Sequence, residues 1–250
     1  MTIIYREAMI FPLSIENYFL SLFIITLGSI LQGVIGFGLG ILAVPLLLLI
    51  EPSFVPGPLL LSALFLNILI SQREKKEVDY PSLKWLIPGR VLGTVIGATV
   101  LKYFPHEIIS ILFGGLVLLA VGLSSSGLYL PFTPKNLLGV GTLSGFMATT
   151  TSIGGPPLAL LYQRESGAMI RGTLSIIFMV GTILAVLSLI AISRFGWKEL
   201  ILAMISLPAI YVGFLLSSKA VPILDKGFGR PAIFIFSAGA AIYVILREIL

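Results

Sequence analysis

Two stretches of this 250-residue chain combine residue types that can hold a small solute. The first is Leu31-Gln32-Gly33-Val34-Ile35-Gly36-Phe37-Gly38-Leu39-Gly40, followed by apolar residues to Pro45. The second is Gly145-Phe146-Met147-Ala148-Thr149-Thr150-Thr151-Ser152-Ile153-Gly154-Gly155-Pro156-Pro157. Glycine lacks a β-carbon and weakens a helix interior, so the glycines from Gly33 to Gly40 predict that a helix unwinds there. Unwound backbone in hydrocarbon is tolerated only where it is buried in protein or lines a cavity, because each unpaired amide is costly. Pro156 and Pro157 predict a half-helix whose N-terminus points into the second break, since proline suits a first turn. Pro45, about one turn beyond Gly40, fits the same geometry. Free amides and the positive dipole end at such a terminus attract an anion without a formal charge. The expected ligand is anionic or strongly dipolar. The amides of Gly36–Gly40 and Ser152–Gly155 would hold it, with Gln32, Thr149, Thr150, Thr151 and Ser152 donating side-chain hydrogen bonds.

A plainer reading treats the small residues as points of close helix approach. It suits Pro88/Gly93/Gly97 and its counterpart Pro208/Gly213/Ser217 better than it suits the hydroxyl run Thr149–Ser152. Arg90 and Arg171 are the basic residues closest to the apolar runs. Near segment starts, both can snorkel to headgroups, and the rival reading is that they draw an anion into the vestibule. No Asp or Glu lies deep in any apolar run, so a coupling ion, if there is one, would have to use hydroxyls and carbonyls.

The elements that must position these residues are membrane helices. Hydrophobic residues make up 57% of the chain and charged residues 11%, which excludes an ordinary soluble domain. The expected fold is an all-α polytopic membrane protein. Apolar runs lie at about Tyr18–Gly33, Ile41–Ile50, Val55–Ser71, Leu83–Leu101, Ile108–Ser126, Asn136–Thr149, Pro156–Tyr162, Thr173–Ser193, Leu200–Ser217 and Pro231–Leu246. Six are long enough to span, and those flanking the breaks are half-length. Polar gaps fall at Gln72–Ser82, Gly127–Lys135, Gln163–Gly172 and Ser218–Arg230. Trp85 and Trp197 sit at segment starts as interface anchors. The N-terminus reads as a tail over 1–13 and an uncleaved first segment.

Gly33 and Pro45 have the same spacing as Gly145 and Pro157, and the Pro88 motif has the same spacing as the Pro208 motif. This order predicts two homologous halves, 14–127 and 135–250, with a linker at 128–134. If both broken segments crossed the membrane, the basic residues would divide almost evenly between its faces. If both are re-entrant hairpins, Arg73, Lys75, Lys76, Lys84, Lys135, Arg164, Arg171, Lys219, Lys226 and Arg230 fall on one face against Arg6, Lys102, Arg194, Lys198 and Arg247 on the other, a bias the positive-inside rule favours. A hairpin plus three crossings is odd, so the halves would be inverted.

Other chemistries find little support. Cysteine is absent and His106 is the only histidine, so cysteine or histidine metal clusters are excluded. No phosphate-loop or His-Glu-x-x-His motif occurs. Gly122-Leu123-Ser124 only half resembles a nucleophile elbow, with His106 as its sole base. The net charge of +5, spread over loops, fits membrane orientation rather than nucleic-acid binding. No cofactor is expected, the partners are a small anion and the bilayer, and a homo-oligomer is left open.

The paired breaks, in two halves of a chain this long, resemble the TauE/SafE sulfite-exporter family of permeases. The likeness covers nearly the whole chain and is most specific at Thr151-Ser152-Ile153-Gly154-Gly155-Pro156-Pro157. The matching positions are Gly33, Gly36, Phe37, Gly38, Gly40 and Pro45, then Gly145, Gly154, Gly155, Pro156 and Pro157, with Arg171 where a basic residue is familiar. The resemblance implies transport of sulfite, thiosulfate or organosulfonates across a prokaryotic cytoplasmic membrane, with neither substrate nor direction following from it. A passive channel using the same amides is the alternative.

Overall fold

In the computed structural model, residues 14–104 and 129–224 are described, with isolated positions between 112 and 123. Among the described residues the chain is helical and has no strand. The expected runs Ile108–Ser126 (beyond those isolated positions) and Pro231–Leu246, the tail 1–13, His106 and Ser124 lie outside the described residues.

Helix α1 (Ile15–Ile35) starts at Ser14, whose Oγ accepts from the Asn17 amide. It stops at Gly36, which adopts a left-handed conformation at φ 90°. Gly38, at φ 138°, leads into α2 (Leu39–Ile50). After a short 3-10 turn at Pro52–Phe54 come α3 (Gly57–Arg73) and α4 (Tyr80–Tyr103), the latter capped by Asp79. The second series repeats the pattern. Helix α5 (Pro134–Thr151) ends at left-handed Ser152, and α6 (Gly155–Tyr162) restarts on its two prolines. Then follow α7 (Gly167–Ala191), capped by Ser166, and α8 (Trp197–Leu224).

Several helices outrun the hydrophobic runs that predict them, because capping side chains and snorkelling ends extend a helix past its apolar part. The expected gap Ser218–Arg230 is helical as far as Leu224, and the gap Gln163–Gly172 is helical from Gly167. Three helices among the described residues are both long and apolar enough to cross a membrane: Ile15–Ile35, Gly167–Ala191 and Trp197–Pro222. Of the six runs expected to span, Thr173–Ser193 and Leu200–Ser217 fall in such helices, and Ile108–Ser126 and Pro231–Leu246 lie essentially outside the described residues. Val55–Ser71 and Leu83–Leu101 do not qualify, while Ile15–Ile35 grows from a run expected to be half-length. Helix α3 is too short at 17 residues, and α4 carries Lys84, Arg90 and Lys102.

The packing is paired. Helix α4 lies along α5 as α8 lies along α1; α4 touches α7 as α8 touches α3; and α3 packs on α7. The α4–α5 contact is made by small residues. β-Carbons on Gly89 and Gly93 would overlap the Leu138 and Thr142 carbonyls, and those on Gly141 and Gly145 the Leu86 and Arg90 carbonyls. On α8, Gly213 meets Ser29 and Thr26 of α1 in the same way. The packing reading of these motifs is therefore what the structure contains. Large apolar side chains such as Phe19, Phe23, Val95, Ile96, Leu187 and Leu215 face outward, while Ser29, Gln32, Asn67, Arg90 and Thr149 are buried. This arrangement, with large apolar side chains outward and these polar groups buried among the apolar core, is the pattern of a protein solvated by lipid.

Helix α2 doubles back beside α1, for Asn17 Nδ2 donates to the Ile50 carbonyl at 3.3 Å. Helix α6 likewise returns to the start of α5, where the Leu130 amide donates to the Leu160 carbonyl at 3.0 Å. Its last residue, Tyr162, reaches Asp79 at the head of α4.

Candidate functional site

The two breaks touch each other. A β-carbon on Gly40 would overlap the Ser152 carbonyl, and one on Gly155 would lie 2.5 Å from Phe37 Cβ, so only glycine permits the approach. Ser152 Oγ donates to the Pro56 carbonyl at 2.9 Å, tying the second break to the head of α3. Between the breaks lies a cavity of about 40 Å³, room for roughly three waters or one compact anion. The first break contributes Gln32 and Phe37 to Ile41, and the second contributes Ala148 and Ser152 to Gly155. Helix α3 adds Leu59, Leu60, Ala63 and Asn67, helix α4 adds Arg90, and α7 adds Phe178 and Thr182.

Arg90 does not snorkel. Halfway along α4, it is 2% exposed and its guanidinium lines the cavity. Nη1 donates to the Ser144 carbonyl at 2.8 Å and to Ser144 Oγ at 2.5 Å; Ser144 Oγ donates in turn to the Gly154 carbonyl at 2.5 Å. The cation lies 5.4 Å from the centre of the Phe178 ring, and a β-carbon on Gly181 would overlap Nε. Nε is buried without a hydrogen-bond partner, and no carboxylate pairs with Arg90 among the described residues. A buried cation lacking a counter-ion is unfavourable on its own and attracts any anion that can reach it.

Arg171 does not snorkel either, and it stands outside the cavity lining. At 2% exposure it donates from Nε to Glu74 Oε1 at 2.8 Å and from Nη1 to the Val34 carbonyl at 3.0 Å. Arg73 shares the same Glu74 oxygen at 2.9 Å and donates to the Gly33 carbonyl. The last turn of α1 thus has two arginines on its free carbonyls, where the dipole favours positive charge.

The remaining expected site residues divide in two. Gln32, Phe37, Gly38, Gly40, Ser152, Gly154 and Gly155 line the cavity. Gly33 packs on Ser217 and Gly36 on Ile170 and Arg171. Thr150 and Thr151 donate back to carbonyls of their own helix, Phe146 and Met147 among them. Thr149 is fully buried and its Oγ1 has no hydrogen-bond partner among the described residues. Pro156 occupies the first turn of α6, and with Pro157 removes two of the amides that a helix N-terminus normally offers. Several backbone amides are already engaged: Gly36 with the Gln32 carbonyl, Ser152 with Ala148, Ile153 with Thr151 Oγ1, and Leu39 with Gln32 Oε1. Those of Gly38, Gly40, Gly154 and Gly155 have no acceptor among the described residues.

Asn67, Ser144, Phe178, Gly181 and Thr182 complete the site and were not anticipated. A lone amide inside the run Val55–Ser71 was the available signal for Asn67. Nothing in the local pattern distinguishes Ser144 or Gly181 from packing residues.

A protein-family model described as Sulfite exporter TauE/SafE matches residues 21–244. No curated protein matches the chain. No solved structure matches it either.

Proposed function

Because the chain belongs to the sulfite exporter TauE/SafE family, we propose that it is a permease of the cell membrane that carries small sulfur-containing anions: sulfite, thiosulfate or organosulfonates. The observation that carries this reading is Arg90, a buried cation without a carboxylate partner among the described residues, set in a cavity that both breaks share. The free amides of Gly38, Gly40, Gly154 and Gly155 supply directed donors around that charge without adding another. Thr149–Thr151 shape the second break, and Arg171 holds the end of α1.

Two re-entrant hairpins, α1–α2 and α5–α6, enter from opposite faces and meet in the interior. The return of α2 to Asn17 and of α6 to Asp79 supports this. So does the contact of Glu74, after α3, with Arg171, at the start of α7, which sets these counterpart helices antiparallel. Halves so related are inverted repeats, the architecture in which rocking exposes a fixed site to each face alternately. Arg73, Lys75, Lys76, Lys84, Lys135 and Arg164 lie toward one end, which the positive-inside rule makes cytoplasmic.

The test is flux in liposomes containing the purified full-length chain. Uptake of labelled thiosulfate or sulfite should saturate and show counterflow against unlabelled anion. Flux that rises linearly without counterflow would replace the carrier with a channel, and no movement of any sulfur anion in either direction would remove the transport reading.

A further inference from the structure

The cavity has a polarity that the backbone dictates. The Leu39 N–H can only donate, and it meets Gln32 Oε1 at 3.3 Å. That contact fixes which end of the Gln32 amide faces α2 and leaves Nε2 to donate to Asn67 Oδ1 at 2.9 Å. With its oxygen taken, Asn67 has only Nδ2 left. This NH2 finds no acceptor among the described residues, although Asn67 is 1% exposed and lines the cavity. A main-chain donor on α2 is thereby relayed through two side chains to a donor from α3 in the cavity wall. Arg90, fixed by Ser144, is the other strong group there, and it too can only donate.

We propose that Asn67 is a specificity-determining residue, oriented by Gln32 as a positioning residue, and that the site selects oxyanions bearing no proton over oxyanions of equal charge that keep an O–H. This deepens the transport reading and rests on it. A fully deprotonated head, as in thiosulfate, accepts from Arg90 and from Asn67 Nδ2 at once. Hydrogenphosphate, a dianion of similar size, brings an O–H to a wall whose charged and amide groups donate, with the Ser152 and Thr182 hydroxyls as the side-chain acceptors left to it. In a dry cavity a donor facing a donor leaves both unpaired, which is where hydrogen-bond selectivity is largest.

The test is calorimetric titration of the detergent-purified full-length chain with thiosulfate and with hydrogenphosphate, in mildly alkaline buffer where both are dianions. The wild type should bind thiosulfate at least about tenfold more tightly. Asn67→Leu removes the donor and should reduce that ratio severalfold. Gln32→Glu presents acceptors to both Leu39 and residue 67, so Asn67 must turn its oxygen to the cavity, and the ratio should fall further although residue 32 gives nothing to the anion. Equal charge on the two ligands makes the ratio insensitive to the added carboxylate. A wild-type ratio near one overturns the proposal without any variant, as does a ratio that survives both substitutions; in either case thiosulfate binding leaves the transport reading standing. Absence of binding by either anion and by sulfite would instead remove that reading.

Discussion

A guanidinium packed against Gly181 and Gly154, anchored by one serine and lacking a counter-ion among the described residues, sets function against stability. Arg90→Met keeps the bulk of the side chain and removes a charge that the interior does not neutralise. Replacing buried ionic groups by apolar ones of similar volume is often stabilising by about 1–4 kcal/mol. The ligand-free variant should melt at a higher temperature than the wild type, and the rise in Tm that sulfite or thiosulfate gives the wild type should vanish. A lower Tm with the anion-dependent shift retained would mean that Arg90 is structural. At this scale the sequence was only partly legible. The glycines at 36, 38, 40, 154 and 155 announce where backbone must come free, because no other residue tolerates those conformations or approaches. The run Thr149–Thr151 promised donors that the helix itself uses at Thr150 and Thr151, since a hydroxyl in a helix can always turn to a carbonyl one turn back. Conversely Asn67 makes its contact across 35 residues, which no local pattern records.

At the scale of elements, α4 and α5 meet through bare backbone. A β-carbon at Gly93 would press on both the Thr142 carbonyl and the Phe146 amide, neither of which can yield without moving a helix. Gly93→Ala should destabilise the protein by about 1–3 kcal/mol, read as a lower Tm. Gly139 lies on the same helix as Gly141 and Gly145, but nothing comes within 4 Å of its would-be β-carbon. Gly139→Ala should therefore be neutral or stabilising by up to about 1 kcal/mol, from helix propensity alone. If the two substitutions behaved alike, close packing would not be what those glycines provide. The spacing of Pro88, Gly93 and Gly97 made this face readable as an interface, since small residues at helical intervals have few other uses inside a membrane. Which helix it meets depends on the global arrangement of the halves and could not be read locally.

For the whole molecule, the proposed hairpins have a direct consequence for labelling. The chain has no native cysteine, so single substitutions report cleanly. Asn17 beside Ile50 places Ser14 and Ser53 toward one end, and Ser166, just before α7, belongs to the other. Cysteines at Ser14 and Ser53 should react with an impermeant reagent from the same side of the membrane, and one at Ser166 from the opposite side. Labelling of Ser14 and Ser53 from different sides would make α1 and α2 two successive passages. The uneven distribution of basic residues supports the same proposal from the sequence, because charge bias integrates over every loop and does not depend on any single helix boundary.

Glu74 gives that architecture a directional asymmetry. Its carboxylate holds Arg73 from the first series of helices and Arg171 from the second, whereas the breaks meet the opposite end through the neutral contact of Ser152 with Pro56. If the halves rock as proposed, parting at the basic end must break the Glu74–Arg171 ion pair, since Arg73 and Glu74 move together, whereas parting at the other end breaks no ion pair among the described residues. On that proposal the two outward motions are unequal in kind, and the one that separates Glu74 from Arg171 should be the one that added salt eases.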